Sequence, residues 1–155
     1  MSRPTYVVRT GATALVANLT KSVILIPTGS TSYFSIVEIG FSVDSAVAAQ
    51  AIGVELYAVT TIGSPAGTSF APVLVQRGTG SAAQTGSALI NLSTPPSVVE
   101  VIKDWFVPPT GLLVVQFPLG REPQSFPSGQ RIGLQYVNPS GGSTSNFRAY
   151  IEFEE

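Results

Sequence analysis

Apolar and polar residues alternate with a period of two at several places in this chain, and nothing else in it constrains the fold as strongly. In SIVEIGFSVD (35–44), Val37, Ile39, Phe41 and Val43 fall on one face, and Ile36, Glu38, Gly40 and Ser42 on the other. AIGVELYAVT (51–60) places Ile52, Val54, Leu56 and Ala58 together, opposite Glu55 and Tyr57. RIGLQYV (131–137) groups Ile132, Leu134 and Tyr136. NFRAYIEFEE (146–155) groups Phe147, Ala149, Ile151 and Phe153, with Arg148, Tyr150 and Glu152 opposite. Each reads as a strand with one face in a core and one face out. Shorter strand candidates lie at 6–9, 14–17, 21–26, 72–76, 98–103 and 112–117.

Helix signals are nearly missing. The Ala-rich window SAVAAQAIG (45–53) is short, and β-branched residues dominate the apolar runs. Gly- and Pro-rich stretches separate the strands: PTGST at 27–31, GSPAGTS at 63–69, RGTGSAAQTGS at 77–87, STPP at 93–96, PPTG at 108–111 and NPSGGSTS at 138–145. About eight to ten short strands with such connections predict an all-β fold: one antiparallel, jelly-roll-like sandwich domain over 1–155, with 1–12 a candidate N-terminal arm. An immunoglobulin-like sandwich is the competing arrangement, disfavoured by the absence of a Cys…Trp…Cys pattern.

Only 11% of residues are charged, against about 25% in ordinary soluble domains. Hydrophobic residues reach 44%, yet the longest aliphatic runs, VILI (23–26) and LLVV (112–115), are far short of the roughly 20 residues of a spanning helix. No membrane segment is expected, and the opening MSRPTYVVRTGATALVANLT has no continuous apolar stretch of the secretory-signal kind. A charge-poor exterior suits a subunit that buries its surface against copies of itself or a partner, since mixed surface charge is what ordinarily keeps proteins apart. The net charge is −1 and the eight basic residues are scattered, which argues against nucleic acid as a main ligand.

Chemistry is scarce. The chain has no His and no Cys, which removes Ser-His-Asp and Cys-His arrangements along with imidazole- and thiolate-based metal sites. Lys103 in EVIKDWF lies close to Glu100 and Asp104 and reads as a solvated charged cluster at a strand end. Asp occurs only twice, and no loop has the spacing of a calcium site. GTGS (78–81) lacks the GK[ST] ending of a phosphate-cradling loop. No enzyme activity, cofactor or metal is therefore expected. Trp105, Tyr57 and Tyr150 are the candidates for an aromatic surface that stacks on a sugar. In PLGREP (118–123), Gly120, Arg121 and Glu122 form a candidate intersubunit or partner contact, with Arg77 as a further contact residue. Adjacent on an extended chain, Arg121 and Glu122 point apart, so each is expected to find its own partner.

The run from DWFVPPTGLLVVQFPLGREPQSFPSGQRIGLQYVNPSGG to NFRAYIEFEE, together with the opening YVVRTGATALVA, resembles small virion proteins encoded by tailed bacteriophages and prophages. In those proteins a VVQFPLGRE-like strand and turn, a G-x-R-I-G-L strand and a final RAYIEFEE-like strand recur in this order. The resemblance covers the last third of the chain well, the start loosely and the middle hardly at all. It implies a capsid decoration or cement protein: β-rich, a homotrimer, bound to the major capsid protein on the virion surface after synthesis in the bacterial cytoplasm. Gly120, Arg121 and Glu122 match its recurring element. The alternative is a carbohydrate- or receptor-binding β module of a phage fibre or tail, and a carboxylate-pair hydrolase is a more distant one.

Overall fold

The computed structural model of the chain describes residues 4–16, 19–26, 34–44, 51–61, 64–76, 87–108, 110–125, 131–138 and 146–154. Thirteen strands and no helix occur among them. These are β1 (Thr5–Arg9), β2 (Thr13–Ala14), β3 (Leu19–Leu25), β4 (Phe34–Asp44), β5 (Ile52–Thr61), β6 (Ala66–Phe70) and β7 (Val73–Gln76). The chain continues through β8 (Ala88–Thr94), β9 (Val98–Val107), β10 (Leu112–Gln116), β11 (Gln124–Ser125), β12 (Arg131–Asn138) and β13 (Asn146–Glu154).

One sheet runs β10-β4-β13-β1-β7, with β11 added to β4 and β2 to β13; the other runs β6-β8-β3-β12-β5-β9. Every pairing is antiparallel. Eight of these strands form a nested set: β1 pairs β13, β3 pairs β12, β4 pairs β10 and β5 pairs β9. First meets last and the middle two meet each other, as in one long hairpin rolled into two sheets. That is a jelly roll. Strands β6, β7 and β8 lie between β5 and β9 in sequence, and they extend both sheets past β1 and β3. Residues 5–9, which include the strand candidate at 6–9 within the candidate arm, form a sheet strand held between β13 and β7, with Tyr6 and Val8 buried.

The core between the sheets is built from the alternating faces. Phe147, Ala149, Ile151 and Phe153 of β13 all point into it, opposite Ile52, Val54 and Leu56 of β5 and Ile132, Leu134 and Tyr136 of β12. Two aromatic groups anchor it. Phe153 packs on Tyr6 and Phe34, with ring centres 5.7 and 5.5 Å apart. Tyr136 crosses from the second sheet to meet Phe147 at 5.2 Å and Phe41 at 6.4 Å. Each such ring contributes on the order of 1.5–3 kcal/mol through burial. The Tyr136 hydroxyl accepts the Val16 backbone N–H at 3.0 Å, so its polar end is satisfied inside.

β4 departs from strict alternation. Ile36, Ile39, Phe41 and Val43 face the core, while Val37 is half-buried. Opposite β13 the register steps from Glu38 to Ile36 as β13 advances one residue, so Val37 is the extra residue of a bulge. This corrects the expected face, which had Val37 inward and Ile36 outward. A second irregularity sits in β8. Asn91 has φ 50°, in the left-handed region that Asn tolerates better than most residues. On either side of it, Ile90 packs into the main core, while Leu92 joins a separate cluster with Leu25, Tyr57 and Val59.

Candidate functional site

The outward face of the first sheet gathers most of the polar chemistry described. The cross-strand register sets its rows. Leu112 of β10, Ser42 of β4 and Arg148 of β13 form one row. Val114, Gly40, Tyr150 and Arg9 form the next. Gln116, Glu38, Glu152 and Val7 form the third. Arg9 and Arg148 thus stand on neighbouring strands, diagonal to each other, on the same face as Tyr150.

Tyr150 is set by a missing side chain. Its ring leans over Gly40, where a Cβ would overlap ring atoms. Lying across β4, the ring brings its hydroxyl to Glu38, and the hydroxyl donates a hydrogen bond to Oε1. The other carboxylate oxygen of Glu38 accepts from the Gln116 side-chain amide at 2.7 Å. Burial, then the Glu38 bond and charge, then the Glu152 charge hold the Tyr150 hydroxyl well above its usual range, so it remains a donor. Burial, followed by the charges of Glu38 and Glu154, raises the Glu152 carboxyl above its usual range. Around Tyr150 the face is therefore divided: Glu38 and Glu152 stand in the row on one side and Arg148 in the row on the other, with Arg9 in the row of Tyr150 itself.

A groove of about 760 Å³ opens on the arginine side. Arg9, Arg148, Tyr150, Leu112, Val7 and Ser42 line it from the first sheet and Phe70 and Ile90 from the second, and among the described residues no Asp or Glu does. Gly11 lines it as well, and a side chain there would meet open space. Among the described residues neither Arg9 nor Arg148 has a carboxylate partner. Thr10 also lines the groove: its hydroxyl accepts the Ala149 N–H at 2.9 Å, and its own N–H donates to the Ala149 carbonyl at 2.8 Å.

The second sheet carries a smaller recess of about 170 Å³, lined by Gly53, Glu55, Asp104, Trp105, Phe106 and Val137. Phe106 is 75% exposed there. Gln135 donates to Glu55 at 2.6 Å.

The three aromatic candidates do not come together. Tyr150 lies half-buried in the groove of the first sheet. Trp105 is half-buried on β9, packed against the main core. Tyr57 is fully buried and offers no surface, which corrects that expectation. It does face away from the main core, but its ring leans over Gly133 of β12 and is enclosed with Leu25, Val59 and Leu92. Burial pushes its hydroxyl up to about 12, with Ser22 opposing the shift.

Pro118 to Arg121 form a turn closed by the Arg121 N–H on the Pro118 carbonyl at 3.0 Å. Gly120 has φ 80°, the conformation that a type II turn demands of its third residue. Gly120 and Arg121 are exposed and Glu122 is half-buried. Among the described residues, neither Arg121 nor Glu122 has a charged partner. The most exposed group of the turn is Leu119, at 91%. Arg77 lies outside the described residues.

Sequence reasoning missed Arg9, Leu112 and Phe106 as surface features. Arg148 was placed on the face of Tyr150 by alternation alone, and Arg9 joins them only because the first strand pairs with the last. Among the described residues, no group of three or more acidic side chains is placed to hold a metal ion, and no helix is long and apolar enough to cross a membrane. The chain matches no protein-family model, no curated protein and no solved structure.

Proposed function

We propose that this chain is a non-enzymatic structural virion protein, a capsid decoration subunit that binds the head surface as an oligomer and stabilises the shell. The jelly roll does not decide this, since the same architecture serves capsid and lectin domains alike. The observation that supports it is the placement of exposed apolar side chains. Of the ten large apolar side chains 40% or more exposed among the described residues, six, Val101, Ile102, Phe106, Leu112, Val114 and Leu119, fall within one segment of the chain, while Val16, Leu19, Val73 and Val75 lie elsewhere. That segment holds β9 and β10, one end strand of each sheet, joined through residues 108–111. These two edges therefore lie on one side of the sandwich, with the β6 and β7 edges at the other end of each sheet. Free edges with apolar side chains are templates for pairing with another chain, and isolated proteins usually blunt them.

Attachment through this side would be adhesive. Each contact is modest, and many copies on one shell multiply their effect. Any contact made only by the assembled shell also stabilises it by mass action.

The test is the mass in solution by light scattering, followed by co-sedimentation with undecorated shells of the corresponding phage. The expected result is a trimer near three times 16.2 kDa that binds shells, with binding lost in a Phe106→Ser, Leu112→Ser, Leu119→Ser variant of unchanged circular dichroism. A monomer that also fails to bind shells would overturn the reading.

A further inference from the structure

We infer that the groove that opens on the outer face of the first sheet is a binding site for an oligosaccharide carrying acid groups, held by Arg9 and Arg148 with Tyr150 as the apolar platform. The site borders the proposed assembly side and shares Leu112 with it, but its argument does not depend on that proposal.

Charge comes first. The chain has eight basic residues in all, and two of them share this groove. Among the described residues the lining contains no carboxylate, although Glu38, Glu152 and Glu154 occupy the same strands. Glu38 is drawn away from the guanidiniums by its bonds to Tyr150 and Gln116. With no carboxylate partner among the described residues, both guanidinium forks are open to an anion, which they match by paired N–H donors.

Shape gives the second argument. On the first sheet the lining runs from Leu112 on β10 across β4 and β13 to Val7 and Arg9 on β1, and Phe70 and Ile90 of the second sheet complete it. At about 4.8 Å between strands, three intervals make a trough roughly 14 Å long. A trough that is open along its length suits a short chain of linked rings better than a small molecule enclosed on all sides.

The third argument separates sugar from peptide. β4, β13 and β1 each have hydrogen-bonded neighbours on both sides, so their backbone groups are engaged in the ladder. Except at the β10 end, an extended acidic peptide would find no free edge here to add to as a strand. Sugars need none: their C–H faces pack on aromatic and aliphatic side chains, and their substituents take side-chain hydrogen bonds. Tyr150, Leu112 and Val7 supply the first kind of contact, and Ser42 and the arginines the second.

The experiment is titration calorimetry of the full chain with three tetrasaccharide probes at low salt: a carboxylated one (tetragalacturonate), a sulfated malto-oligosaccharide, and neutral maltotetraose. At least one acidic probe is expected to bind ten or more times tighter than the neutral probe, and to weaken with added salt. Arg9→Ala and Arg148→Ala should each weaken it about tenfold and together abolish it; both residues are exposed, and unchanged melting temperatures check that the fold persists. Tyr150→Phe keeps the ring and should retain most of the affinity, while Tyr150→Ala should lose it. The preferred acidic probe identifies the acid group. No binding of either acidic probe at millimolar concentration, equal binding of the neutral one, or affinity unmoved in the double arginine variant would each overturn the proposal.

Discussion

Tyr150 lies across Gly40, its cross-strand partner, and reaches Glu38 further along the same strand. Tyr57 stands in the same relation to Gly133 on the other sheet. In both, the missing Cβ is the space that the ring occupies. The two differ in what holds the ring: Tyr150 is half-buried, while Tyr57 is enclosed.

That difference predicts unequal costs. Gly40→Ala should destabilise by about 1–3 kcal/mol, the usual range for overpacking, because the half-exposed Tyr150 can swing outward. Gly133→Ala should cost more, since the new methyl would also meet the Ile24 carbonyl at 2.7 Å, and backbone cannot swing away. Urea unfolding of the two variants measures the order; a Gly40 variant less stable than the Gly133 one would contradict it.

Tyr57 carries a hydroxyl that, like Ser22 Oγ, is buried without a well-formed hydrogen bond. Tyr57→Phe removes a desolvated polar group and keeps the ring, so stability should be unchanged or rise by up to ~1 kcal/mol. Tyr57→Ala should lose about 3–5 kcal/mol, as large aromatic truncations do. A large loss in the Phe variant would show that the hydroxyl has a partner that matters.

At Gly120 the strain is purely conformational, because a side chain there would touch nothing within 4 Å. Gly120→Ala should cost about 1 kcal/mol, the left-handed penalty for an ordinary residue. In a chain of this size that lowers the melting temperature by about 2–4 °C. Gly120→Asn should lose less. Differential scanning calorimetry of the two variants makes the comparison, and an unchanged Ala variant would refute the turn assignment.

Glu152 makes stability depend on pH in an unusual direction for a carboxylate. Its folded pKa is raised above the ordinary 4.5, so the folded chain holds this proton more tightly than the unfolded one. The stabilisation it gives is fully present below that ordinary value and is lost as pH rises through the raised one. Glu152→Gln should therefore flatten this part of the profile and be more stable than the parent at neutral pH. Unfolding curves at a series of pH values from 4 to 7 test the sign, and a variant less stable at pH 7 would reverse it.

Much of this fold was legible because its strands keep one face in the core. β13 reads off the sequence without error: four apolar residues in, and Arg148, Tyr150 and Glu152 out. β4 does not, because a single extra residue at Val37 reverses the faces that precede it, and alternation carries no signal for an insertion. Tyr57 was misjudged for another reason. Pattern placed it correctly on the outer face, but pattern cannot say that Leu25, Val59 and Leu92 gather around it there. The groove was half-visible. Arg148 and Tyr150 are two residues apart on one strand, whereas Arg9 arrives from the opposite end of the chain, through a pairing that no local feature announces.

The nested pairing of β1 with β13 also bears on how the molecule is made. β13 lies between β4 and β1 in the first sheet, and it is the final strand in sequence. While a ribosome is still elongating the chain, β4 and β1 each lack the neighbour that joins them, and the Tyr6 and Phe34 rings have no Phe153 to pack on. Contacts this distant in sequence close slowly, and unpaired apolar strands are prone to stick in the interval. The nascent chain therefore cannot complete its first sheet piece by piece from the amino end. It must wait for its last strand, and a chaperone that shields β1 and β4 during synthesis would act at the stage of greatest exposure.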